Sequence, residues 1–400
     1  MNHHIKELFS EKGVNRSVGK ITFRAKAKNY CKNESIGNGG NLSFSHVTYC
    51  MAPNAGDTVL SQCVRKTIES SIPVSKWNII PVKNHVSADT ITQINSNGPL
   101  IIGGGGLFLP DTNNNSISGW QWDISNELLS EISVPIYVYS VGYNYFNGQE
   151  NDAMFLKSLQ ALVEKSTFFG LRNSGSVKSI KNLLPQEYEE KITFQPCTTT
   201  IIRKIYKDSL PTKEETGSIA VNMAFDRGNL RFGTNREIIL SQVASAIKHI
   251  ESKGYKIYYV CHCWNDDNFL PYLQAENVKY TLVDLSRKFP DDVYTFYNKM
   301  DLVLGMRGHA QMIPFGLNCE IISLGTHNKM KWFLEDIDST DWYIDLTHKY
   351  EQLSNIIIDK FEEIHETNRS KTQERLIVSQ NKLFEITNNN LTIIKNSLVP

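Results

Sequence analysis

The triplet Arg307-Gly308-His309 holds an always-charged guanidinium two residues from an imidazole. An arginine fork suits phosphate or carboxylate, and histidine can give and take a proton near neutral pH. In one loop the two could serve a single anionic ligand; a histidine at a helix start can equally be a packed residue with its hydrogen bonds satisfied. Arg172-Asn173-Ser174 repeats the theme. A cation just before a helix would aim its charge and the helix dipole into one volume, with Ser174 as the cap. A surface arginine is the plainer alternative. Asn54-Ala55-Gly56-Asp57 lets Asp57 either cap a helix or orient a ligand hydroxyl.

Gly103-Gly104-Gly105-Gly106 removes every Cβ over four positions, so backbone N–H groups there could line an anion or a sugar, or make a tight turn. No Lys-Ser/Thr follows, and the spacing is not a dinucleotide fingerprint. Cys261-His262-Cys263, with Asp266 and Asp267 nearby, raises the question of a metal. Alternate residues of an extended segment face opposite ways, and no second Cys/His pair stands at zinc-finger spacing. Buried thiols at a strand end are expected, and no metal.

These loops need elements to hold them. Short apolar, β-rich runs predict strands at His46–Met51, Asn78–Val82, Leu100–Ile102, Pro135–Val141 and Thr167–Gly170. The pattern restarts with Ser218–Met223, Lys256–Val260, Asp301–Gly305 and Glu320–Leu324. Between them, Asp57–Ser70, Ser174–Leu184 and Arg236–Lys253 read as helices, the last stopped by Gly254. The polar stretch Asp208–Gly217 reads as a linker. Ile356–Leu398 reads as helical, broken near Asn368 and at Asn388–Asn390. No repeat of solenoid period is present. The expected fold is α/β: two Rossmann-like domains facing across a cleft, residues 45–210 and 211–355. A basic extension covers 1–44, and C-terminal helices over 356–400 return to the first domain. Ligands of such sheets sit beyond the carboxyl ends of the strands, where these loops fall.

Composition narrows the function. Of 400 residues 40% are hydrophobic, which excludes wholesale disorder. Lys+Arg 42 balance Asp+Glu 42, so nucleic-acid binding would need a local patch, and none is expected. No apolar run approaches the roughly 20 residues that span a bilayer. The opening MNHHIKELFSEKG lacks the apolar core and cleavage site of a secretory signal. Seven scattered cysteines suit a reducing compartment, so a cytoplasmic location is expected. Met1–Lys32 carries eight Lys/Arg against two Glu, which would suit peripheral contact with the inner face of an anionic membrane or a solvated extension.

In order along the chain, Asn54–Asp57, Gly103–Gly106, Ser140-Val141-Gly142-Tyr143, Leu171–Ser174, Met306–His309 and Ile321–Lys329 resemble the polysaccharide pyruvyl transferase family. The resemblance covers roughly residues 45–335. It implies a GT-B-like fold and transfer of pyruvate from phosphoenolpyruvate onto a sugar of a cell-surface polysaccharide or its lipid-linked precursor. The product would be a cyclic ketal, with phosphate released and no cofactor. By position, Arg307 and His309 match the family's Arg-x-His, Arg172 its Arg-Asp, and Lys329 a lysine after the last core strand. Asn173 stands where Asp is commoner, Gly308 replaces an apolar residue, and Gln195-Pro196-Cys197 stands where Pro-Asp is often seen.

The resulting assignment gives His309 the proton transfer, Arg172 and Arg307 the donor, and Asp57 an acceptor hydroxyl. Gly104, Gly105, Gly106, Ser174, Gly308 and Lys329 would help bind the donor, and Asn54 and Tyr143 the acceptor. A nucleotide-sugar glycosyltransferase of the same architecture is the alternative. A non-catalytic glycan- or phosphate-binding module and a dinucleotide oxidoreductase stand further off.

Overall fold

A computed structural model describes residues 22–23, 25–50, 53–109, 116–145 and 149–398. Two six-stranded sheets organise it. The first has the order β2-β1-β3-β4-β5-β6, built from Leu42–Thr48 (β1), Val74–Pro81 (β2), Leu100–Phe108 (β3), Ile136–Tyr143 (β4), Phe168–Leu171 (β5) and Ile192–Phe194 (β6). The second has the order β12-β11-β10-β7-β8-β9, from Ser218–Asn222 (β7), Lys256–Cys261 (β8), Tyr280–Asp284 (β9), Leu302–Gly305 (β10), Glu320–Gly325 (β11) and Tyr343–Asp345 (β12). Every strand pair within each sheet is parallel. β4 and β11 are buried along their whole length, as strands covered by helices on both faces must be. The helix Arg236–Ser252 buries Ile239, Val243, Ile247 and Ile250 along its expected stripe. Each such side chain contributes about 1.5–3 kcal/mol by leaving water.

Three expectations change. β3 runs on to Phe108, so the four glycines lie inside the strand and not in a loop after it. The helix Arg369–Ser397 is unbroken at Asn388–Asn390. Asn390, expected to compete with the helical backbone, instead donates from Nδ2 to Phe194 O and Gln195 Oε1, both at 2.9 Å. That contact also ties the C-terminal helix to the end of β6. Finally, the described part of the basic extension is docked: Phe23 and Tyr30 stack on Phe289 at 5.8 and 4.6 Å. Residues 1–21, which carry four of its eight Lys/Arg, lie outside the described residues. No helix among the described residues is long and apolar enough to cross a membrane.

Candidate active site

Each sheet reverses its winding once, between β1 and β3 in the first and between β7 and β10 in the second. The loops leaving these strands converge on one cavity of about 500 Å³. This is where an open α/β sheet presents a ligand site. Of the residues singled out from sequence, Asn54, Asp57, Gly106, Arg172, Arg307, Gly308 and His309 line it.

Arg172 directly follows β5 and is 3% exposed. Its guanidinium packs against Gly142 of β4, where an added Cβ would come 2.2 Å from Nε. Nη2 donates to Asn144 Oδ1 at 2.5 Å, while Nε has no hydrogen-bond partner. Burial pulls its pKa down, partly opposed by Cys197 and Asp57. A buried cation with one neutral partner is costly unless an anion completes it.

Arg307 is different. Its Nε donates to both oxygens of Asp266 at 3.0 and 2.9 Å, and Nη2 to Asp266 Oδ1 at 2.6 Å. Nη1 pairs with Asp226 Oδ1 at 2.8 Å. Asp266, fully buried, also accepts from Asn222 Nδ2 at 3.1 Å and the main-chain N–H groups of His262 and Cys263 at 2.9 and 3.1 Å. Arg307, expected to hold the donor, lines the cavity with its fork already held by two carboxylates as a strut. Asp266 is thus engaged by Arg307, and His262 Nε2 bonds Tyr297 OH at 2.6 Å. Among the described residues no three His, Cys, Asp or Glu side chains gather as ligands.

His309 begins the helix His309–Gly316, and its ring lies over Gly56 of the first half. Its Nε2 is 3.8 Å from Cys197 Sγ. Asp57 stands in the first turn of the helix Ala55–Glu69 and is not its cap. Asn54 caps it, accepting from Gly56 N at 2.9 Å, so its side chain shapes the loop.

Other assignments fall away from the cavity. Gly104 and Gly105, with φ of +69° and +115°, serve the irregular end of β3, and Gly104 faces Leu60 and Val64. Tyr143 is in the core, its ring stacked on Tyr145 at 4.6 Å and its OH donating to Asn151 at 3.1 Å. Ser174 does not cap its helix; Asn173 does, accepting from Ser176 N at 2.7 Å. Ser174 instead donates from N to Asp336 Oδ1 at 3.1 Å and from its hydroxyl to the same carboxylate, linking the two halves. The side chain of Lys329 lies outside the described residues; His327, two positions earlier, lines the cavity.

Sequence reasoning missed Asp226, Arg227 and Arg231, which follow β7. Asp226 accepts from Arg227 Nη1 at 3.1 Å and Arg231 Nη2 at 3.0 Å. Burial would raise its pKa, but Arg307, Arg231 and Arg227 hold the carboxyl well below the usual range. Lys83 follows β2, and its ammonium sits 5.4 Å from the centre of the Tyr49 ring. The signal for all of these was their place after a strand. With Arg172 and Arg307 they give the walls five cations against the carboxylates of Asp57 and Asp226.

Among solved structures, the chain is similar to S. aureus MnaA in complex with UDP, at 12% identity and a TM-score of 0.52, covering 84% of this chain and 91% of that one. It is similar also to a putative UDP-N-acetylglucosamine 2-epimerase from Listeria monocytogenes, at 11% identity and a TM-score of 0.50, with the same coverage of 84% and 91%. At that identity the likeness shows the two-domain GT-B-like fold alone. No curated protein matches the sequence. The model of the polysaccharide pyruvyl transferase family matches residues 54–328, from the asparagine that caps the first site helix to the segment after β11. With more than half of its length inside that match, the chain belongs to the polysaccharide pyruvyl transferase family.

Proposed function

We propose that the protein transfers pyruvate from phosphoenolpyruvate to two hydroxyls of one sugar in a surface polysaccharide or its precursor, releasing phosphate. The observation that carries this reading is Arg172: a buried guanidinium, unmatched by any bonded carboxylate among the described residues, on the wall of a cationic cavity. A donor bearing both phosphate and carboxylate supplies the missing negative charge, and Arg227 and Arg231 hold its other end. Arg307, neutralised by Asp266 and Asp226, keeps this geometry fixed.

The reaction then has three parts. His309 delivers a proton to the methylene carbon, turning it into a methyl group and leaving oxocarbenium character at C2. One sugar hydroxyl adds to C2 and gives up its proton, with Asp57 as the base or orienting group. The phosphate leaves with its bridging oxygen, and the second hydroxyl adds and loses a proton to close the ring. One of the two released protons restores His309 and the other goes with the phosphate.

Isothermal calorimetry separates this donor from a nucleotide sugar. Phosphoenolpyruvate should bind the wild type and bind Arg172→Ala at least about thirtyfold more weakly. Binding of a nucleotide sugar in the absence of phosphoenolpyruvate binding would overturn the reading in favour of glycosyl transfer.

A further inference from the structure

Of the six tryptophans, Trp77, Trp120, Trp122 and Trp342 are at most 1% exposed. Trp264 is 49% exposed, yet it lines the same cavity as Arg172 and His309. Tryptophan is enriched at binding surfaces, where one part of the ring is apolar and the other meets water. Its neighbours are fixed. Cys263 N donates to buried Asp266 at 3.1 Å, and Asn265 Oδ1 accepts from Arg307 Nη2 at 3.3 Å. The indole therefore projects from a short segment clamped on both sides to the network that holds Arg307.

An indole face offers nothing to a trianionic donor. It does match a pyranose ring, whose C–H faces are apolar and whose edge carries hydroxyls. The cations of this cavity account for the donor; a neutral sugar needs an apolar wall, and beside Pro53, Leu109 and Met306 the half-exposed Trp264 offers a flat ring, with Asp57 and Tyr49 on the same walls for the hydroxyl edge. We propose that Trp264 is the platform on which the acceptor sugar lies, setting which hydroxyl pair faces the donor. This deepens the pyruvyl-transfer reading and rests on it.

The test uses a panel of methyl hexopyranosides and methyl N-acetylhexosaminides with saturating phosphoenolpyruvate. For the best acceptor, Trp264→Ala should raise KM about tenfold or more, leave kcat within a few-fold, and leave the calorimetric affinity for phosphoenolpyruvate unchanged. Trp264→Phe should recover most of the loss. In the wild type, the acceptor should also shift tryptophan emission to shorter wavelength. An acceptor KM within twofold of wild type in Trp264→Ala, an equal fall in donor affinity, or no emission shift at saturation would overturn the platform while leaving pyruvyl transfer standing. If the wild type pyruvylates no sugar of the panel, the functional reading fails and the platform with it.

Discussion

A Cβ on Gly56 would lie 2.5 Å from Nδ1 of His309, so the first half of the chain meets the imidazole of the second with no room for a methyl group. The proton donor proposed here is thus positioned by the opposite domain. Gly56→Ala must push the ring aside. A displacement of about 1 Å lowers turnover by about a hundredfold, while the donor, held by arginines, keeps its affinity within a few-fold. Turnover and calorimetry on the same variant check this; an unchanged kcat would show that the ring position is unimportant.

Arg172→Ala removes a buried charge that no bonded carboxylate balances, so the apo protein should melt no lower than the wild type and could melt higher. Donor binding should fall by about 2–4 kcal/mol. A variant that unfolds without losing donor affinity would show that Arg172 is structural.

Asp266→Ala should behave in the opposite way. It leaves Arg307 without its bidentate partner and removes the acceptor for three further donors. We expect a loss of about 3–5 kcal/mol of stability, the usual effect of breaking a buried pair from one side. Urea unfolding of the variant gives the number directly, and a loss below about 1 kcal/mol would contradict the strut.

These contrasts locate what the sequence reveals. Apolar runs marked all nine expected strands, β3 alone being drawn much too short, because parallel strands buried on both faces leave no polar alternation to misread. β6, β9 and β12 were missed: each is a short edge strand, and β9 is largely exposed. The loops holding Arg172 and His309 were legible by position. Whether an arginine is open or already paired was not, since Asp266 and Asp226 lie on different loops from Arg307. The glycine cluster misled for a related reason: Gly103 needs its bare Cα to fit against Tyr139 O within the sheet, a contact no local pattern records.

Acid should weaken the fold through two buried imidazoles. Burial, aided by Arg65, takes His46 from 6.5 to about 3, and burial, aided by Arg307, does the same for His262. Their contribution is present above 6.5 and is lost as pH falls toward 3, by up to about 1.4 kcal/mol per pH unit for each. Asp336, raised to about 7 by burial, opposes this by stabilising the native state as pH falls from 7 toward 3.8. His262→Asn should therefore lose about 2 kcal/mol less stability than the wild type between about pH 7 and pH 5. Equal losses in the two proteins would refute the assignment.

Running the reaction in D2O tests the central claim most directly. Phosphoenolpyruvate and the sugar panel are incubated with the protein, and products are read by mass spectrometry alongside phosphate release. Proton delivery to the methylene carbon predicts a ketal whose methyl group carries one solvent deuterium, formed one-for-one with phosphate. His309→Gln should lower its formation by about 10²–10⁴ while donor affinity stays within a few-fold. Phosphate released without a ketal, a ketal free of deuterium, or full activity in His309→Gln would contradict the mechanism.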